Sequence, residues 1–203
     1  MTSKMKKICS IAAVLIALAA LSGCDGLIPA RYDDSGVFII NGERYAECAG
    51  SVCAAYIGEK YSRWNDMVFY LIPGCDSAEY LTLSRSDGGN VFKKESLPEP
   101  VLSEINITKA YFCRVTETKV IAESELTDRE LISAMVDAVT NGEECVMPGS
   151  SELTREIRIA SEDYPFLYYR LSYMEDTRAD GYLYDRGTGK CVFVGKTFTD
   201  YAV

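Results

Sequence analysis

Histidine is absent from all 203 residues. Without an imidazole the chain cannot build a Ser-His-Asp or Cys-His catalytic set, a His-ligated zinc site or a histidine pH switch. No two cysteines have the C-x₂-C spacing of a thiolate zinc site, and Gly88-Gly89 lacks the lysine and following helix of a phosphate loop. Neither a metal nor a cofactor is expected. Long apolar runs are equally scarce. The one that stands out, residues 8–21, spans 14 residues, short of the roughly 20 a bilayer-crossing helix needs. Basic side chains are in deficit too, 21 against 30 acids. An acidic surface repels phosphate backbones, so nucleic acid is not an expected partner.

What the N-terminus does contain is ordered. Lys4, Lys6 and Lys7 precede the apolar run with no acid among them, the layout of a signal peptide. The run ends in Leu21-Ser22-Gly23-Cys24, which resembles the lipobox of bacterial lipoproteins: an apolar residue, two small ones, then cysteine. The resemblance implies that residues 1–23 are a cleaved signal peptide and that the Cys24 thiol takes a diacylglyceryl group as a thioether. It implies a protein held on the extracytoplasmic face of the cell membrane by acyl chains of the palmitate kind. Two chains hold stably because each buried CH₂ contributes about 0.8 kcal/mol. Cleavage removes three lysines and no acid, leaving 18 basic against 30 acidic side chains and a formal charge of −12. Attachment would therefore rest on lipid and not on a basic patch. Asp25 resembles an inner-membrane retention signal of two-membrane envelopes. Residues 24–35, with Gly26, Pro29, Asp33 and Asp34, read as the lipidated cysteine and a tether reaching at most about 35–40 Å.

Six cysteines remain beyond Cys24: Cys48, Cys53, Cys75, Cys113, Cys145 and Cys191. In an exported domain they could form three disulfides in any of about 15 connectivities, or pack as buried thiols. Cys48 and Cys53 are the pair closest in sequence and the favoured disulfide.

Hydrophobic alternation and turn residues describe an α+β fold of antiparallel sheet. Residues 37–40 and 43–46 flank Asn41-Gly42, the dipeptide of a type I′ hairpin. Strands follow at 67–72, 79–83 and 91–92, while 48–61 has apolar residues at helical spacing broken by Gly50 and Gly58. Pro98 and Pro100 divide an N-terminal β-rich unit, 36–97, from a C-terminal α+β unit, 101–203. In the second, strands at 105–115 and 119–122 precede a helix at 128–140. Thr127 as N-cap with Glu130 resembles a capping box, and Asn141-Gly142 ends the helix. Strands at 155–160, 166–173, 181–185 and 191–194 complete it. Both halves can be read as hairpin, helix and strands, which raises a tandem duplication.

Six of the 14 tyrosines lie between residues 164 and 184. Alternation puts Leu167, Tyr169, Leu171 and Tyr173 on a core face and Tyr168, Arg170 and Ser172 on the other. Tyr168, Arg170 and Arg186 are the candidate binding residues, as a solvent-facing aromatic and guanidinium surface for a peptide, a neutral glycan or an envelope protein. The stretches 163–169 and 182–190 resemble the C-terminal part of lipoproteins from Firmicutes that carry no assigned activity. The acids Glu143, Glu144, Glu162 and Asp163 show no spacing that selects a glycosidase pair. A calcium loop from Asp176 fails at Arg178 and Gly187. No catalytic residue is assigned. The function expected is a membrane-anchored, non-enzymatic binding module, with a carboxylate-dependent hydrolase of cell-wall or glycan material and a proteinaceous inhibitor as alternatives. Replacing Cys24 by Ala is expected to abolish metabolic lipid labelling and to move the protein from the detergent phase to the aqueous phase on partitioning. Unchanged partitioning would mean that residues 8–21 stay as the anchor.

Overall fold

A computed structural model describes residues 26–83 and 89–202. Its first half contains β1 (Ile28–Tyr32), β2 (Phe38–Ile40), β3 (Glu43–Glu47), β4 (Val52–Ala54), β5 (Lys60–Trp64), β6 (Met67–Leu71), β7 (Tyr80–Leu83) and β8 (Val91–Lys94). The second contains β9 (Ile107–Val115), β10 (Val120–Leu126), α1 (Arg129–Asn141), β11 (Leu153–Ser161), β12 (Leu167–Glu175), β13 (Gly181–Asp185), β14 (Cys191–Gly195) and α2 (Thr199–Ala202). The class is α+β, with mostly antiparallel sheet and one long helix.

The first half closes into a barrel in the order β1-β2-β3-β8-β7-β6-β5, with β1 and β5 meeting in parallel. Asn41 and Gly42 turn its first hairpin at φ of 52° and 83°, the two left-handed positions a type I′ turn requires. Its interior is aromatic. Phe38, Phe69 and Phe92 meet pairwise edge to face with centroids 4.9–5.4 Å apart, the geometry the ring quadrupoles favour.

The second half is an open sheet in the order β10-β9-β11-β12-β13-β14. α1 lies on its inner face with Ile132, Met135 and Val139 buried among Phe112, Ile157, Leu171 and Leu183. That core does not stop at the boundary between halves. Val52, Ala54, Ile72, Tyr80 and Val91 of the first half belong to it.

Several expectations are corrected. Residues 28–32 are barrel strand and not tether, and Asp33 holds the next turn by accepting from Ser35 N–H at 3.0 Å and Val37 N–H at 3.1 Å. The barrel and the open sheet lie on either side of the boundary drawn between 36–97 and 101–203, and β4 crosses it by pairing with β12. The proline segment is no free hinge, since Glu99 accepts from Ala49 N–H and Ser51 Oγ. Residues 48–61 hold strands β4 and the start of β5, with no helix among them. A closed barrel beside an open helix-covered sheet is also no tandem duplication. Between the strands predicted at 79–83 and 91–92, residues 84–88 lie outside the described residues.

The helix begins one residue later than its sequence signal. Asp128, not Thr127, is the N-cap, its carboxylate accepting from Glu130 N–H at 2.8 Å and Leu131 N–H at 3.2 Å. Asp competes well for this role because an anion also complements the helix dipole. Asp128→Ala is expected to cost about 1 kcal/mol of unfolding free energy, while Thr127→Ala stays within about 0.5 kcal/mol. Urea titration of both variants checks the assignment.

Candidate functional site

β12 is flanked by β11 along its whole length on one side. On the other side its edge is shared: β4 pairs with Leu167–Tyr169 and β13 with Leu171–Glu175. Arg170 sits at the join. Its N–H donates to Ser51 O at 2.7 Å and its Nη2 to Gly50 O at 3.0 Å. The residue is 4 % exposed. Beside it, the buried Glu156 carboxylate accepts from Arg158 Nε at 2.8 Å and lies 3.9 Å from Arg170 Nη1 and 3.7 Å from Arg186 Nη1. Arg186 also donates to Ser172 Oγ.

The expected aromatic and guanidinium surface is thus only partly there. Tyr168, Arg170 and Ser172 do share the face opposite the core, but Arg170 and Ser172 are buried. Gly50 and Ser51 lie against Arg170, and residues 52–54 extend the sheet beside Leu167–Tyr169, a pairing that was not legible in the sequence. Arg186 is exposed yet committed to Glu156 and Ser172. Tyr168 alone borders open space, in a cleft of about 200 Å³ with Tyr111, Cys113, Ala122 and Arg158. Tyr111 meets the Tyr168 ring edge to face at 6.1 Å, and the Arg158 guanidinium lies 5.9 Å from the Tyr168 ring. Burial pushes the Cys113 thiol up to about 11, so it serves as a wall and not as a nucleophile at neutral pH.

The structure places Cys48 and Cys53, the predicted disulfide pair, on different faces. Cys48 is packed in the interior core with Val52 and Ala54, whereas Cys53, between those two on β4, points to the opposite face, beside Tyr168 in register. Side chains on opposite faces of a sheet cannot be bridged.

A larger cleft, about 570 Å³, lies at one end of the barrel and is lined in part by Gly58, Glu59, Tyr61, Leu71, Ile72 and Cys75. That volume is within the range of small-molecule sites. Ile72 and the turn at Pro73-Gly74 carry the chain across this end before β7 begins. Two residues of the crossing, Ser77 and Ala78, are left-handed at φ of 51° and 53°, a conformation that costs non-glycine residues on the order of 1 kcal/mol each. The buried Tyr45 hydroxyl holds Ala78 there by donating to its carbonyl at 2.8 Å. Gly58 donates to Leu71 O at 2.9 Å, and a Cβ at Gly58 would stand 2.8 Å from that same oxygen. Cys75 is half-buried, and burial pushes its thiol above the ordinary value.

The position of this cleft follows from register. Because β1 and β5 are parallel with Ile28 beside Ser62, residues before Ile28 leave the barrel at the end where Glu59 and Tyr61 line the cleft. The sequence shows only a break between the strands predicted at 67–72 and 79–83. The signal it lacked was the parallel closure, which joins residues 34 positions apart, Ile28 with Ser62 and Pro29 with Arg63.

No group of histidine, cysteine and carboxylate side chains among the described residues is arranged to hold a metal ion. No described helix is long and apolar enough to cross a membrane. No family model, curated protein or solved structure matches the chain. Glu156→Ala, which strands the buried Arg170 guanidinium, is expected to cost about 3 kcal/mol. Arg186→Ala, removing an exposed partner, is expected to cost less than about 1 kcal/mol. Chemical denaturation of the two variants measures the difference, and equal losses would show that Glu156 does not carry the cluster.

Proposed function

We propose that this chain is a membrane-tethered binding module that works on the extracytoplasmic face of the membrane. Its ligand site would be the cleft at the anchor end of the barrel. The observation that carries the reading is topological. The cleft opens at the end from which the chain runs back toward Cys24, four residues before Ile28 and so at most about 14 Å away along extended chain. With Cys24 lipidated, that end would face the bilayer surface.

The lining suits an amphiphile. Leu71, Ile72, Pro73 and Ala78 offer apolar wall, while Glu59 and Tyr61 offer polar groups. The ligand class is a single hydrocarbon chain with a neutral headgroup, since a formal charge of −12 disfavours anions. A two-carboxylate hydrolase is less well supported, because Glu59 is the one acid in the lining and a glycosidase needs a pair. The tyrosine surface first expected to bind is also less well supported, with Arg170 buried and Arg186 engaged.

The test uses the full chain in detergent with a fluorescent monoacylglycerol as probe. Saturable binding is expected, together with at least tenfold slower alkylation of Cys75 by N-ethylmaleimide when the probe is bound. Cys75→Trp, which fills the cleft, is expected to weaken binding at least tenfold. Binding with no protection of Cys75 would move the site elsewhere, and no saturable binding would end the proposal.

A further inference from the structure

Cys145 and Cys191 face each other at the edge of the second sheet. The chain leaving α1 forms an antiparallel bridge to β14, Glu144 opposite Val192, so Cys145 falls opposite Cys191. Cys145 N–H donates to Cys191 O at 2.8 Å, and the two sulfurs are 3.9 Å apart with one thiol donating to the other. Residues opposed across an antiparallel pair have Cα atoms about 4.5 or 5.5 Å apart, within the roughly 4.4–6.8 Å that a disulfide spans. A rotation of the side chains, without movement of the strands, would close the gap.

We propose that Cys145 and Cys191 are the oxidation site of this chain and form a disulfide. The reaction is an exchange with the disulfide of a thiol–disulfide oxidoreductase or of a small disulfide such as oxidised glutathione. The Cys145 thiolate, on the half-exposed side of the pair, attacks one sulfur of the oxidant. A mixed disulfide forms and one thiolate leaves. The deprotonated Cys191 sulfur then attacks Cys145 Sγ, the new bond forms, and the second oxidant thiolate leaves. Two thiols of this chain are oxidised and one disulfide is reduced to two thiols. Burial, with the neighbouring Cys145 next in weight, pushes the Cys191 thiol up to about 12, which makes it the second sulfur and not the first attacker.

The bond has a structural task. The connector 143–152 meets the sheet at the bridge and again where Glu152 N–H donates to Glu175 O at 2.9 Å, and between the two Val146, beside Cys145, is 90 % exposed. Linking residues 46 positions apart removes a long open loop from the unfolded chain, the situation in which a disulfide stabilises most. It would pin the exit of α1 to the edge strand β14. Oxidation in the cell rests on the extracytoplasmic location proposed above, whereas the pairing rests on geometry alone.

The experiment separates the two. The full chain, purified in detergent under reductant, is titrated with oxidised and reduced glutathione, alkylated and mapped by peptide mass spectrometry. The linked peptide Cys145–Cys191 is expected, with Cys48, Cys53, Cys75 and Cys113 recovered alkylated. Reductant is expected to lower Tm of the oxidised protein by roughly 5–10 °C and to leave Cys145→Ser and Cys191→Ser unchanged. A different linked pair, or a Tm of the oxidised wild type insensitive to reductant, would overturn the proposal. A pair that is reduced in protein taken from cells but closes in the glutathione titration supports the site and counts against the extracytoplasmic location.

Discussion

The architecture depends on how the edge of β12 is divided. A strand's edge offers a row of N–H and C=O groups that must be satisfied once buried. Here β4, from the barrel's segment, takes the first part and β13 takes the rest. Arg170 stands where one gives way to the other, and its backbone and guanidinium both bind the chain at Gly50 and Ser51. The arrangement is demanding, because Arg170 Nε finds no acceptor among the described residues and a buried polar group left unpaired costs about 1–3 kcal/mol. It is held by neighbours. A Cβ on Gly187 would stand 2.7 Å from Ser51 Cβ, so the turn after β13 can close on the crossing only with glycine there.

Once β4 is in place, the two halves share a core. Tyr80 from β7 packs against Phe166 and Tyr164 from the second half, with centroids at 5.5 and 6.3 Å. The same crossing explains the polar cluster on the far side of the sheet. A face expected to meet water is covered at Arg170, and Glu156 lies buried among three guanidinium groups. Buried charge of this kind persists only when paired. Asp185 plays a comparable part at the C-terminal end of β13, beside the join. It accepts from Tyr169 Oη, Gly187 N–H and Thr188 Oγ1, and that shapes the turn resting on Ser51.

The barrel's parallel closure has the consequence that matters most for function. An antiparallel β1 would send the N-terminal segment from the opposite end. With β1 and β5 parallel, the end at which the chain enters β1 and the 570 Å³ cleft coincide. A lipid on Cys24 and a ligand drawn from the bilayer would then approach the same face.

What the sequence determined by itself is local. Period-two alternation located most of the strands of both halves, Asn41-Gly42 set the first hairpin, and apolar spacing at Leu131, Met135, Ala138 and Val139 marked the helix, whose most buried residues are Ile132, Met135 and Val139. The inward set Leu167, Tyr169, Leu171 and Tyr173 followed from alternation alone, because strand geometry leaves no other choice once one face is apolar. The tertiary structure decided everything that rests on partners distant in the chain. Residues 28–32 read as polar linker, since β1 carries Pro29 and Arg31 and gains its place only through pairing with β2 and β5. Val52-Cys53-Ala54 is too short to announce a strand and is stabilised by an edge more than 110 residues away. Cys48 and Cys53 are near in sequence but separated by the sheet between them, while Cys145 and Cys191 are far apart in sequence and adjacent across two strands. Sequence proximity constrains distance along the chain, whereas pairing, burial and the meeting of thiols depend on which edges find each other.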